Sequence, residues 1–168
     1  MPLIKLFFDI CLFKKGPQDL PASGLLLALT TAAYLLVGLI LLGLETNWTD
    51  ALVQVLAEAA MLVGFLFVTL KVAGLMPRFL KTTAAMLGTD ALISSFAIPL
   101  LTWMMASQGA KGIYLFLLLL MLWHLAVVAH ILRHALSRPL AVGAGLAIVY
   151  VIATYQVMLL LFADGQSS

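Results

Sequence analysis

The stretch ASGLLLALTTAAYLLVGLILLGL, Ala22–Leu44, contains no charged residue. It is long enough to cross a hydrocarbon core of roughly 30 Å, which takes about 20 apolar helical residues. A surface helix of a soluble protein keeps a polar face, and this stretch has none, so lipid is expected around it. Four further stretches meet the same demand. They run from about Ala51 to Leu70, containing Glu58; from about Thr83 to Met105, containing Asp90 and Pro99; from about Ile113 to Leu132, containing His124 and His130; and from about Leu140 to Phe162, without charge. The sequence therefore predicts an all-α polytopic transmembrane bundle of five spans.

Composition supports this reading. Hydrophobic residues make up 64% of the chain and charged residues 10%, where a soluble domain carries about 25% charged residues to cover its surface. A net charge of +2 without a basic, aromatic-interleaved patch excludes a nucleic-acid partner. Cys11 is the only cysteine, so no internal disulfide can form. The connections are short, which places consecutive spans side by side and antiparallel. Pro21 and Pro139 are expected to open the first and fifth spans, and Gly74 with Pro77 to turn the chain between the second and third.

Orientation follows from the basic residues, which resist translocation. Lys5, Lys14, Lys15, Lys71, Arg78, Lys81, Arg133 and Arg138 all fall on one side of a five-span chain. The other side holds Lys111 with Glu45, Asp50 and Asp164. An N-terminus in the cytoplasm and a periplasmic C-terminus, in an inner membrane, are expected.

Residues 1–15 form a separate element. They are too few to span, and Lys5 and Asp9, four apart, share one stripe among Leu6, Phe7, Phe8, Ile10 and Phe13. That pattern predicts an amphipathic helix lying in the membrane interface. The basic residues follow the apolar run, which argues against a cleaved signal peptide. Residues 22–163 then make a single five-helix transmembrane domain.

Helices in lipid approach closely at small residues. The pairs Ala60 and Gly64 in span two, Ala84 and Gly88 in span three, and Gly143 and Ala147 in span five have the required spacing. They predict a tight centre of spans two, three and five, with the outer half of span four facing lipid. Pro99 removes the hydrogen bond that the Ser95 carbonyl would accept, so a kink is expected there.

Ionisable groups inside a membrane cost about 2.5–3.5 kcal/mol each on insertion scales, so Glu58, Asp90 and His124 are the candidate functional residues. Two readings compete. In the structural one, Asp90 pairs with His124 across neighbouring helices and Glu58 bonds to a neutral partner. In the other, the three groups, at staggered depth, form a proton or cation path extended by Thr89, Ser94, Gln54, Tyr150 and Gln156. His130 and His134 share a face at a spacing that can hold a metal, but no further ligands accompany them. Snorkelling to headgroups is the better account of both. All histidines belong to one span or its end, which does not suit a bis-histidine haem. No phosphate loop, nucleophile elbow or His-Glu-x-x-His motif is present, and no Gly-x-Ser context supports Ser94 or Ser95 as a nucleophile. No catalytic residue, cofactor or metal is therefore assigned.

The five spans, the basic Gly/Pro turn and the segment PRFLKTTAAMLGTDAL, Pro77–Leu92, resemble the Yip family of small polytopic membrane proteins. The resemblance covers roughly residues 20–163, and the Pro77–Leu92 stretch is similar to the segment that opens the third span in bacterial members. It implies an inner-membrane protein. The Asp-Leu-Tyr-Gly-Pro and Gly-Tyr motifs of eukaryotic trafficking members are absent, so their small-GTPase-linked role is not implied. The sequence thus favours a non-enzymatic protein that acts by helix-mediated assembly, with membrane lipid and either a second copy or another membrane protein as partner. An ion or proton channel or transporter subunit using Glu58, Asp90 and His124 is the alternative.

Overall fold

The structure, a computed structural model, describes residues 3–106 and 111–162. Its elements are α1 (Leu3–Cys11), α2 (Gly24–Gly43), α3 (Trp48–Val72), α4 (Phe79–Ala106), α5 (Lys111–Leu136) and α6 (Leu140–Phe162), with 3-10 turns at Pro17–Asp19 and Met76–Arg78. There is no strand among the described residues. Helices α2 to α6 are each long and apolar enough to cross a membrane, and together they make the five-span bundle. Asp164 and the residues beyond Phe162 lie outside the described part of the chain. The end of the bundle where α2 starts, where α3 meets α4 and where α5 meets α6 is here named the basic end. Its opposite is the far end.

Local chemistry sets the helix limits. Ser23 caps α2 by accepting from the Leu26 N–H, so the helix starts at Gly24, three residues beyond Pro21. Asn47 caps α3 by accepting from the Asp50 N–H at 3.0 Å. Pro139 accepts from Val142 N–H and so lies just outside α6 rather than at its first position. Helices α1, α3 and α5 all end in the same way, with a left-handed residue followed by an N–H that reaches back five residues. Those closures are Lys14 to Asp9, Leu75 to Leu70 and Arg138 to Arg133. Only α3 uses glycine, Gly74, for the left-handed position; α1 uses Phe13 and α5 uses Ser137.

Packing differs from the expected centre of spans two, three and five. Every residue from Thr82 to Thr89 of α4 is buried. Eight consecutive residues cover all faces of a helix, so α4 is enclosed at that level by α2 on one side, α5 on another and α1 across it. The α6 helix leans mainly on α5. The contact is made at Gly143, where a Cβ would meet the Ala129 carbonyl oxygen and lie 2.9 Å from the Arg133 nitrogen. Ala84 and Ala147 are buried, and Gly88 faces the Phe7 ring. Ala60 and Gly64 lie on the exposed side of α3, and a Cβ at Gly64 would touch nothing. Of the glycines in these pairs, Gly88 and Gly143 point at a neighbour, α1 and α5 respectively, and Gly64 does not; Gly38 of α2 faces Val55 of α3 as well.

The N-terminal helix α1 packs one face onto the bundle. Phe7, Ile10 and Cys11 are buried against the bundle, while Lys5 is exposed and Asp9 half-buried on the outer stripe. Phe7 sits on Gly88, nine residues into α4, or roughly 14 Å along the axis at 1.5 Å per residue. The Trp123 indole N–H donates to the Cys11 carbonyl at 2.9 Å. Below this helix the basic end is tied together. A His130 ring nitrogen donates to the Lys15 carbonyl at 2.9 Å, and Lys81 donates to the Gln18 carbonyl at 3.2 Å. Arg78 donates to the Ala135 carbonyl at 2.8 Å and to Ser137 Oγ at 2.7 Å, capping the negative end of α5. His130 is only 7% exposed, so it is an internal tie rather than a snorkelling group.

The far half is looser. Among the described residues, none after Tyr34 in α2, after Ile93 in α4 or after Tyr150 in α6 is buried, and Leu115, Phe116, Leu118 and Leu119 of α5 are all exposed. The outer half of span four faces outward, as its unbroken leucine run predicts.

Candidate functional site

Where the dense half meets the loose half, the bundle holds a cavity of about 390 Å³. Every span contributes to its wall: Tyr34 and Gly38 from α2, Glu58 from α3, Asp90 and Ser94 from α4, His124 from α5, and Tyr150 and Thr154 from α6. Volumes from about 300 Å³ upward are typical of small-molecule sites. The three ionisable residues that the sequence singles out, expected at different depths, thus meet around one space.

Their partnerships are unequal. His124 Nε2 lies 3.1 Å from Asp90 Oδ1, the one ion pair among the described residues. The Ser94 hydroxyl donates to the same oxygen at 3.3 Å. Ser94 is one turn after Asp90 on α4, so sequence spacing alone sets that contact. The pairing across α4 and α5 matches the structural reading of these two residues. Glu58 has a weaker partner, the amide of Gln54 one turn earlier on α3, at 3.4 Å. No cationic side chain pairs with it among the described residues. Glu58, Asp90 and His124 share a cavity but do not converge as three metal ligands would.

Of the groups expected to extend a path, Ser94 and Tyr150 line the cavity and Gln54 reaches it through Glu58. Thr89 does not: its hydroxyl bonds to the Ala85 carbonyl of its own helix at 2.8 Å. Gln156 lies on the exposed side of α6. Ser94 donates to Asp90 rather than to His124, and Ser95 donates to Leu92, so neither makes a serine–histidine pair. Residues that sequence reasoning passed over are Tyr34, Thr154 and Tyr155. Tyr34 is the one aromatic with a polar tip in an otherwise apolar, uncharged span, which is the signal that could have found it.

The cavity is closed toward the basic end by the buried runs Thr82–Thr89 of α4 and Val127–Leu132 of α5. Toward the far end its wall continues through Leu41, Met121, Val151 and Tyr155. The last three also reach the outer surface of the bundle, with Tyr155 65% exposed, so they form its rim. A largely apolar space carrying a few ionisable and hydroxyl groups, shut on one side and reachable from the other, can take up a small solute or exchange protons. Compared with family models, with curated proteins and with solved structures, the chain finds no match.

Proposed function

We propose that this five-span protein moves protons or a cationic solute through the membrane, using the cavity shared by Glu58, Asp90 and His124. The observation that carries this reading is that Glu58, Asp90 and His124, half-buried and one from each of α3, α4 and α5, all line one space. Groups that served only to hold helices together would be consumed in pairs. Asp90 and His124 are paired, and Glu58 is left facing the cavity. Ionisable residues in spans mark such paths because their insertion cost is kept only for a purpose. In this reading the basic end faces the cytoplasm of an inner membrane, and the cavity's rim lies in the periplasmic half, on the lipid-facing surface of the bundle. The likeness to bacterial Yip-family members in span number and in the Pro77–Leu92 segment is part of the same proposal.

Purified protein in sealed liposomes, carrying a trapped pH dye under an imposed pH gradient, tests it. The wild type is expected to dissipate the gradient, and Glu58→Gln and Asp90→Asn to slow it at least tenfold, about 1.4 kcal/mol in the barrier. Flux that both variants leave unchanged, or none at all from well-folded protein, contradicts it. A second reading, assembly through small residues, has its own support. Ala60 and Gly64 on α3 and Ala141 and Gly145 on α6 are exposed and untouched by the fold. Crosslinking in native membranes that yields only monomer would end that reading.

A further inference from the structure

The chemistry of the cavity wall also narrows the class of cation. Three features bear on it. The first is charge. Asp90 has His124 as its partner, while Glu58 has only a neutral amide, so no basic side chain among the described residues is set against Glu58 when it is ionised. A lone carboxylate in an apolar setting needs a proton or a counter-cation. The second is the wall itself. Tyr34 of α2 and Tyr150 of α6 both line the cavity, Tyr150 backed by the Phe65 ring at 5.1 Å, and Tyr155 adds a third aromatic at the rim. Between them the lining is Val37, Leu42 and Leu125. Small metal cations demand a shell of six or more oxygens, and the acidic and histidine side chains of the wall do not converge to begin one. A large cation of low charge density needs no such shell and is attracted to aromatic faces. The third is access. Met121 and Val151 at the rim are exposed on the apolar outside of the bundle, so a ligand can enter from the hydrocarbon. Only a cation with apolar surface arrives by that route.

We propose that the cavity binds a monovalent lipophilic organic cation, of the quaternary ammonium or phosphonium kind, held between Tyr34 and Tyr150 and exchanged one for one against a proton on Glu58. As the cation enters, the Glu58 carboxyl O–H bond breaks, the proton leaves to solvent, and the carboxylate becomes the counter-ion. Entry of a proton reverses the step, and the charge of the site is the same in both states. The assignment rests on the transport reading for its purpose, but binding can be measured without transport.

The test uses the full chain in lipid nanodiscs with radiolabelled tetraphenylphosphonium, reading equilibrium binding and, in weakly buffered solution, proton release. Saturable binding with one proton released per cation is expected. Glu58→Gln should abolish the proton release and weaken binding at least tenfold. Tyr150→Phe, which keeps the ring, should bind within about twofold of wild type, whereas Tyr150→Leu should lose roughly tenfold to thirtyfold. Tyr34→Phe and Tyr34→Leu provide an independent second comparison if a Tyr150 variant does not fold. No saturable binding, or binding indifferent to Glu58→Gln and to both leucine variants, overturns the inference. Saturable binding without flux in liposomes would strike the transport reading and leave this one standing. Proton flux without binding would do the reverse.

Discussion

Two glycines on opposite faces of α6 have opposite surroundings. Gly143 sits against backbone atoms of α5, where nothing can move aside, while Gly145, two residues on, faces open space. Gly143→Ala should therefore destabilise the bundle by about 1–3 kcal/mol through overpacking. Gly145→Ala should leave stability unchanged or raise it by up to about 1 kcal/mol, since alanine is the better helix former. Thermal unfolding of the two variants in detergent checks the difference in sign. Gly88→Ala should fall between them, because its Cβ would meet the far edge of the Phe7 ring, which can swing. The same scale shows what a sequence can reveal about contacts. The pairing of Asp90 with His124 was legible because two complementary charges on consecutive spans have few other partners in lipid. Which small-residue pairs would touch was not legible. Ala60 with Gly64 and Gly143 with Ala147 share one spacing, and only the rotation of each helix about its axis separates the exposed pair from the buried one.

The N-terminal helix carries the main lesson at the scale of elements. Its composition reads as interfacial, with Lys5 and Asp9 on one stripe and phenylalanines around the rest. The structure turns that stripe outward and sets Phe7, Ile10 and Cys11 into the bundle. Nothing in residues 1–15 encodes the receiving surface, which consists of Gly88 and Trp123, far along the chain. The stop at Phe13 was equally hidden, since a left-handed phenylalanine lacks the glycine that marks the same closure at Gly74. The span limits, by contrast, follow from local hydropathy and caps and were largely legible. Docking of α1 has a built-in reporter, the lone cysteine. Cys11 is fully buried, and that burial pushes its thiol up to about 12 from an ordinary 9.0. Maleimide reacts with the thiolate, so at neutral pH a thiol shifted upward by this amount holds roughly a thousandth of the usual thiolate. Labelling in native membranes should be slow and climb about tenfold per pH unit without levelling off near pH 9. Trp123→Phe, which removes the bond to the Cys11 carbonyl, should speed it. Fast labelling that levels off near pH 9 in the wild type would mean that α1 is undocked.

The whole molecule is graded along its axis. At the basic end, Arg78, Lys81 and His130 are tied to backbone carbonyls, and α1 and the Pro17–Asp19 turn fill the space between helices. Beyond Tyr34, Ile93 and Tyr150, the described residues of α2, α4 and α6 are no longer buried, and the cavity lies at this transition. Five spans and the clustering of charge could be read from composition and order. The cavity could not, because it depends on Tyr150 of α6 meeting Tyr34 of α2 and Glu58 of α3, neither of which is adjacent to α6 in sequence. The central claim is that Glu58 is an unpaired acid at a space reachable through the membrane, while Asp90 is a paired one. Dicyclohexylcarbodiimide, a lipid-soluble reagent that adds to protonated carboxyl groups, tests this directly when the modified residues are located by mass spectrometry. Modification at Glu58, absent at Asp90 and suppressed by tetraphenylphosphonium, is the expected result; equal modification of both carboxyls, or of neither, would contradict it.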